Sequence, residues 1–229
     1  YVIGGGEVSI SDHPHQASLE HVSEGHRCGA SVIGINKIVT AAHCTQESAG
    51  SYVVRAGTST RGEGGQVIPV LVIVNHPDYC ASCSGFPNDI SVLTLSYNFE
   101  LGSNVQPIEL TSTDHTGESC PLTGWGFTHP TGTLATVLHG VDIEVLSNID
   151  CNIIMDAIPG IHITDGQVCV YDWSQASGGC TGDAGGPLQC DGELTGVQSW
   201  VISSRDICRQ DFPSVSTRVS YYRDWILSQ

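Results

Sequence analysis

The sequence predicts an all-β protein that ends in a helix, and three observations carry that expectation. Short β-branched runs recur between turn residues: Val53-Val54, Val67 to Val74, Ile90 to Leu95, Val137 to Leu146 and Gln167 to Val170. Within them, Ile90-Ser91-Val92-Leu93-Thr94-Leu95 alternates as a strand with one buried face should. Cys190-Asp191-Gly192-Glu193 sets Asp-Gly between two strand-like runs, a strong hairpin signal. Helices are expected at two places only. One follows Ser147, whose spacing to Asp150 resembles a capping box. The other is the C-terminal run Tyr221 to Leu227, which sets Tyr222, Trp225 and Ile226 on one face. Between Thr111 and Ser119 the composition turns polar, which reads as the connection between two halves, 1–111 and 112–229.

Composition narrows the function. A chain of 229 residues can bury one large core or two small ones. No run of about 18 apolar residues is present, so no helical span of a bilayer is coded. Neither a signal peptide nor a tag is visible, so the sequence reads as a processed form. The 10 cysteines argue for an oxidising, extracellular compartment and for disulfides. Metal binding is the other use of so many thiols, but the sole Cys-x-x-Cys is Cys80 to Cys83, and zinc sites usually need two such knuckles. Asp and Glu number 24 against 8 Lys and Arg, and the formal charge is −16. That field repels phosphate backbones and anionic surfaces, which excludes nucleic acid and membrane as expected partners. There is no Asn-x-Ser/Thr, so N-glycosylation is not expected.

Chemistry concentrates in Gly179-Cys180-Thr181-Gly182-Asp183-Ala184-Gly185-Gly186-Pro187. In such a loop the backbone N–H groups of Gly182 and Ala184 point into one spot and can hold an oxyanion. A phosphate cradle is a second reading of a Gly-rich loop, but no Gly-Lys-Ser/Thr follows. Thr40-Ala41-Ala42-His43-Cys44 and Asn88-Asp89-Ile90 supply a histidine and a carboxylate. Histidine suits a general base because its pKa lies near neutrality, and a buried carboxylate fixes the imidazole tautomer and stabilises the imidazolium.

These three motifs, in this order, resemble the trypsin/chymotrypsin family of serine proteases, and the resemblance runs along nearly the whole chain. Where that family has Gly-Asp-Ser-Gly-Gly-Pro, this chain has Ala184 in place of the serine nucleophile. The resemblance implies two packed antiparallel six-stranded β-barrels and a C-terminal helix. Residues 1–111 would carry His43 and Asp89, and 112–229 the Ala184 loop and the specificity pocket. It assigns catalysis to His43, Asp89 and the Ala184 position, and the oxyanion hole to Gly182 and Ala184. It pairs Cys28 with Cys44, Cys120 with Cys190, Cys151 with Cys169 and Cys180 with Cys208. Cys80 and Cys83 are then left to form a tight extra disulfide in the loop leading to Asp89.

The same resemblance places Gly178 at the base of the primary pocket, Ser199, Trp200 and Val201 on one wall and Ser214 opposite. With no aspartate at the base and with Val201 and Ser214 where glycines are usual, small or medium apolar side chains should fit best, as in elastases. A nearby Asp211 or Asp206 keeps cleavage beside a basic residue open as an alternative. The last third, Ser199-Trp200-Val201 with Pro213 to Ser220, is similar to the elastase-like fibrinolytic proteases of earthworms. In the family an ammonium freed by cleavage pairs with the aspartate beside the nucleophile, here Asp183, and that role falls on Val2. If Tyr1 remains attached, Val2 has no free ammonium, and a zymogen-like state with the oxyanion loop unformed is expected; an unpaired buried carboxylate costs about 3–5 kcal/mol.

The remaining signals are minor. His13-Pro14-His15 is expected to serve packing rather than chelation, His21 and His26 to be solvated at a turn. The family's calcium loop is rich in glutamates, and the corresponding Gly57 to Gln66 offers only Glu63, so the resemblance implies no calcium site; no other metal and no cofactor is expected. The expected function is that of a secreted, monomeric endopeptidase, acting in an extracellular setting such as a digestive tract. It would bind protein or peptide substrates and protein protease inhibitors, and Ala184 would silence its catalysis. That silence has two readings: a serine replaced deliberately to stop self-digestion or trap a substrate, or a natural non-catalytic homologue that binds or regulates. The first is favoured because a single active-site position is altered. A storage or defence protein held zymogen-like is a third reading.

Overall fold

The computed structural model describes residues 3–127, 132–205 and 207–229. Tyr1, Val2 and Asp206, to which the sequence assigned activation and specificity roles, lie outside them.

Two closed antiparallel barrels form the molecule. In the first, six strands follow one another in space: Gln16–His21, Gly25–Val32, Lys37–Thr40, Ser91–Leu95, Gln66–Asn75 and Tyr52–Ala56, which pairs back to the first. The second runs Ser119–Gly124, His139–Leu146, Gln167–Tyr171, Ser214–Arg218, Glu193–Trp200 and Pro187–Cys190, closing where Leu188 pairs with Leu122. Among the described residues, closure pairs both edges of each barrel sheet. The Asp-Gly hairpin forms as expected, with Asp191 and Gly192 both at positive φ between paired Cys190 and Glu193.

Each end of the chain crosses to the other half. Gly6–Glu7 pairs with His139–Gly140 of the second barrel, and Glu109–Leu110 runs parallel to Glu193–Leu194. Conversely, Val219, Tyr222 and Ile226 of α2 (Val219–Leu227) pack into the core of the first barrel. The other helix, α1 (Asn148–Met155), starts at the expected cap: Ser147 Oγ accepts from the Asp150 N–H at 3.0 Å.

Ile90–Leu95 departs from its pattern. Ser91 is as buried as Val92 and Leu93. Both faces of this strand are covered because the C-terminal segment lies beside it: Lys37 Nζ donates to Thr94 Oγ1 at 2.8 Å and to the Gln229 carbonyl at 2.7 Å. All five expected disulfides form: Cys28–Cys44, Cys80–Cys83, Cys120–Cys190, Cys151–Cys169 and Cys180–Cys208.

His15 serves packing. It is 4% exposed, its Nε2 has no hydrogen-bond partner, and its ring meets that of His13 edge-on at 6.1 Å. Burial first, then the neighbouring His13, lowers its pKa to about 4. Between about pH 6.5, the ordinary imidazole value, and about 4 the unfolded chain therefore binds a proton that the folded chain does not. Stability rises with pH through this window and is lost as pH falls. In a His15→Phe protein the acid-side fall in melting temperature between pH 6.5 and 4 is expected to be shallower. An unchanged slope in thermal melts would trace the acid sensitivity to other groups.

Candidate active site

His43 sits on a single 3-10 turn, Ala42–Cys44, immediately after the strand Lys37–Thr40. The Cys28–Cys44 disulfide ties that turn to the neighbouring strand. Asp89 follows Asn88, which takes the left-handed conformation at φ 59°, one that asparagine tolerates better than most residues. The Asn88 side chain accepts from the Tyr222 hydroxyl at 2.7 Å, so α2 helps hold this kink.

The kink turns Asp89 inward, where it is 1% exposed. Its Oδ2 lies 2.7 Å from His43 Nδ1 and accepts from Ser199 Oγ at 2.6 Å, while Oδ1 accepts from the His43 backbone N–H at 2.9 Å. Three hydrogen bonds to one carboxylate compensate its burial. They also hold the imidazole with Nδ1 towards Asp89 and Nε2 turned away from it, the orientation a general base requires. The two cysteines near His43 are joined in a disulfide and offer no thiolate to a metal.

The Ala184 loop is clamped across the seam. Gly29 N–H of the first barrel donates to the Ala184 carbonyl at 2.8 Å. Gly185 has φ +82°, and a Cβ there would collide with Thr40 Oγ1 and the Gly29 carbonyl. Only glycine permits both the conformation and the approach. Asp183 is fully buried and accepts from the N–H groups of Gly126 at 2.8 Å and Cys180 at 3.1 Å. No hydrogen bond among the described residues uses the N–H of Gly182 or of Ala184, so both donors remain available to an oxyanion. Val2, the expected partner of Asp183, is outside the described residues.

A cavity of about 200 Å³ opens beside Ala184, lined by Cys180, Thr181, Gln198, Ser199, Trp200, Val201 and Ser203. Ser199, Trp200 and Val201 thus line one cavity together with Ala184. Gly178 and Ser214 do not line the cavity; Ser214 Oγ instead accepts from the Gly179 N–H at 3.0 Å and braces the segment behind the wall. Trp200 is fixed by donating Nε1–H to the Gly85 carbonyl at 2.9 Å, in the loop that carries Cys80–Cys83. Asp211 is bound to Arg209, whose side chain lowers its pKa.

Two expectations are corrected. His26 is not solvated: its Nδ1 meets Ser18 Oγ at 2.7 Å and its Nε2 the Gly182 carbonyl at 3.0 Å. It thus holds the far side of the peptide group that leads into the loop. Burial lowers its pKa, against the opposing pull of the Gly182 carbonyl. His21 is likewise engaged, with Nε2 3.1 Å from Glu47.

Sequence reasoning also passed over Gly124 and Gly126. A Cβ on either would collide with the Asp183 carboxyl group, so Gly-Trp-Gly is the cradle of that carboxylate. The repeated glycine around Trp125 was the available signal. His115, Glu118 and Asp191 bring three donor atoms within 4.8 Å of one another. Both imidazole nitrogens of His115 are already engaged, by Glu118 at 2.9 Å and by Thr111 and Thr113 at 3.0 Å.

The family model for trypsin matches residues 2–226. The chain belongs to the trypsin family. It is 36% identical over 237 residues to the fibrinolytic enzyme, isozyme C, of Lumbricus rubellus, with 98% of each chain covered. Among solved structures, neuropsin, a serine protease expressed in the limbic system of mouse brain, superposes with a TM-score of 0.87 at 31% identity over 98% of both chains. A scabies mite inactivated protease paralogue superposes with a TM-score of 0.89 at 26% identity, over 99% of this chain and 96% of that one. The trypsin-family frame accounts for the two barrels and the seam between them, and the five disulfides each lie within one half. By family the chain is a serine endopeptidase acting on protein substrates.

Proposed function

We propose that this chain is a secreted endopeptidase scaffold that binds peptides with a small or medium apolar side chain in the cavity beside Ala184, and does not cut them. The observation that carries this reading is the Asp89 carboxylate, shared between His43 Nδ1 and Ser199 Oγ at 2.7 and 2.6 Å, with Ser199 and Ala184 lining one cavity. In this reading His43 is the base, Asp89 the carboxylate that orients it, and the N–H groups of Gly182 and Ala184 the oxyanion donors, which the hydrogen bond between His43 Nδ1 and Asp89 supports. The Ala184 methyl group has no oxygen to attack a carbonyl. Val201 lines the cavity, and among the described residues no carboxylate lines it to pair with lysine or arginine. Each methylene in such a pocket changes binding by about 1–3 kcal/mol, so the preference is broad.

The test is calorimetric titration of peptides that differ only at the residue filling the cavity. Alanine, valine and leucine peptides are expected to bind without being cleaved, and an arginine peptide to bind at least tenfold more weakly. Tighter binding of arginine would overturn the assignment. A second reading, a natural non-catalytic homologue that regulates or competes by binding proteins, is favoured by the likeness to the inactivated paralogue. A serine codon at 184 in the source gene would remove it.

A further inference from the structure

One disulfide stands apart from the rest. The cysteines of the other four pairs are buried, none more than 4% exposed. Cys83 is exposed and Cys80 half-buried, and their bridge spans a sequence separation of 3. A thiolate must reach a sulfur to exchange with it, so this is the bridge open to attack. So short a loop removes little chain entropy from the unfolded state, and the fold as a whole does not depend on it. The loop nevertheless reaches across to the second barrel. Ser84 Oγ donates to the Gly160 carbonyl at 2.6 Å, and the Gly85 carbonyl accepts from Gln167 Nε2 at 2.7 Å and from Trp200 Nε1 at 2.9 Å. Trp200 lines the cavity beside Ala184, so a carbonyl of the first half orients a wall residue of the second. That carbonyl sits in a backbone which its residues do not favour. Gly85, Phe86 and Asn88 have φ of 77°, 47° and 59°, and a phenylalanine in the left-handed region persists only where its surroundings impose it. The loop's own backbone bonds are long: Cys80 N–H to the Pro87 carbonyl and Cys83 N–H to the Cys80 carbonyl are both 3.4 Å. The Cys80–Cys83 bridge is the covalent tie among them.

We propose that Cys80–Cys83 is a thiol-exchange site, through which a dithiol loosens the Trp200 wall and weakens peptide binding in the cavity. The proposal rests on the reading of that cavity as the peptide-binding pocket. A thiolate of the dithiol attacks the sulfur of Cys83, the more exposed of the two; the S–S bond breaks, and Cys80 leaves as a thiolate that takes up a proton. The second thiol of the reagent then attacks the reagent's own sulfur in the mixed disulfide, and Cys83 is released and takes up the second proton. Two electrons pass to the protein, and the dithiol ends as a disulfide. With the tie gone, Phe86 relaxes to negative φ, and the Gly85 carbonyl turns away from Trp200 and Gln167. Asp89 keeps its place. Its carboxylate is bound by His43 and Ser199, and its backbone carbonyl accepts from Thr217 Oγ1 at 2.7 Å. The exchange therefore acts on the wall of the cavity and not on His43.

Treatment of the native chain with dithiothreitol, then iodoacetamide and peptide mapping, is expected to label Cys80 and Cys83 and to leave the four buried pairs intact. In calorimetric titrations with the leucine peptide, the reduced chain is expected to bind about tenfold more weakly than the untreated one and to recover on reoxidation. A Cys80→Ser/Cys83→Ser protein is expected to bind as the reduced chain does and to ignore the dithiol. Labelling of a buried pair before Cys80 and Cys83 overturns the proposal. Full reduction of Cys80–Cys83 with unchanged binding also overturns it, while leaving the pocket assignment intact. Loss of the folded signal in circular dichroism on reduction would make the bridge a structural one, and is likewise a refutation. Failure of the untreated chain to bind the leucine peptide overturns the pocket assignment and this proposal with it. The comparison of reduced and reoxidised chain stands even if the double variant does not fold.

Discussion

In an Ala184→Ser protein carrying Val2 as its first residue, peptide hydrolysis is expected to rise about a millionfold over the Ala184 chain. Removing the serine of a comparable triad costs that much in turnover, on the order of 8 kcal/mol of barrier. The reason lies in what already surrounds the position. Asp89 holds Nδ1 of His43, which leaves Nε2 as the acceptor for a hydroxyl proton. Clamping by Gly29 N–H and the tight approach of Gly185 fix the backbone from which the new Oγ would project. A serine there adds one oxygen to a residue that is already partly exposed at the cavity wall. Steady-state assay of the uncleaved peptides from the binding experiment is the measurement. Continued inertness of a correctly folded, processed protein would favour the non-catalytic homologue.

The second large effect belongs to Asp89. In the Ala184→Ser background, Asp89→Asn is expected to lower kcat about ten-thousandfold with little change in the fold. The carboxylate accepts from three donors: His43 Nδ1–H, the His43 backbone N–H and Ser199 Oγ. An amide retains one acceptor and turns its NH2 on another of these groups. If the NH2 faces His43, the ring must accept at Nδ1 and carry its proton on Nε2, the tautomer that cannot act as base. A fall smaller than tenfold, measured at a pH where the parent is fully active, would show that His43 is held by something other than Asp89.

Much of the site was readable because its signals are local. Thr-Ala-Ala-His-Cys, Asn-Asp-Ile and Gly-Asp-Ala-Gly-Gly-Pro each pack their chemistry into a few consecutive residues, four cysteine pairs followed from the resemblance that these motifs established, and Cys80–Cys83 was the pair left over. His26 was not readable. Nothing near it in the chain shows that Gly182, 156 residues away, supplies its partner. Gln198 was missed for a related reason: a glutamine in a strand reads as solvent-facing until the strand is rolled into a barrel. The strands Gln16–His21 and Gly25–Val32 carry too many polar and small residues for a β-branched pattern, yet Ala17, Ser18, Ala30 and Ser31 are fully or almost fully buried. Gly29, in the second of these strands, meets the Ala184 loop, where a Cβ would collide with Gly186.

By itself the sequence determined the family, the order of the candidate site residues along the chain and four of the five disulfides, since each of these is written in contiguous residues or in cysteine pairs that the family pattern fixes. Only the tertiary structure decided what surrounds them. Asp183 rests on two glycines at 124 and 126, His26 braces the Gly182 carbonyl, and Gln198 lines the cavity beside Ala184. Those relations join residues that closure of two barrels brings together, and a hydrogen bond depends on separation in space, which no spacing along the chain encodes.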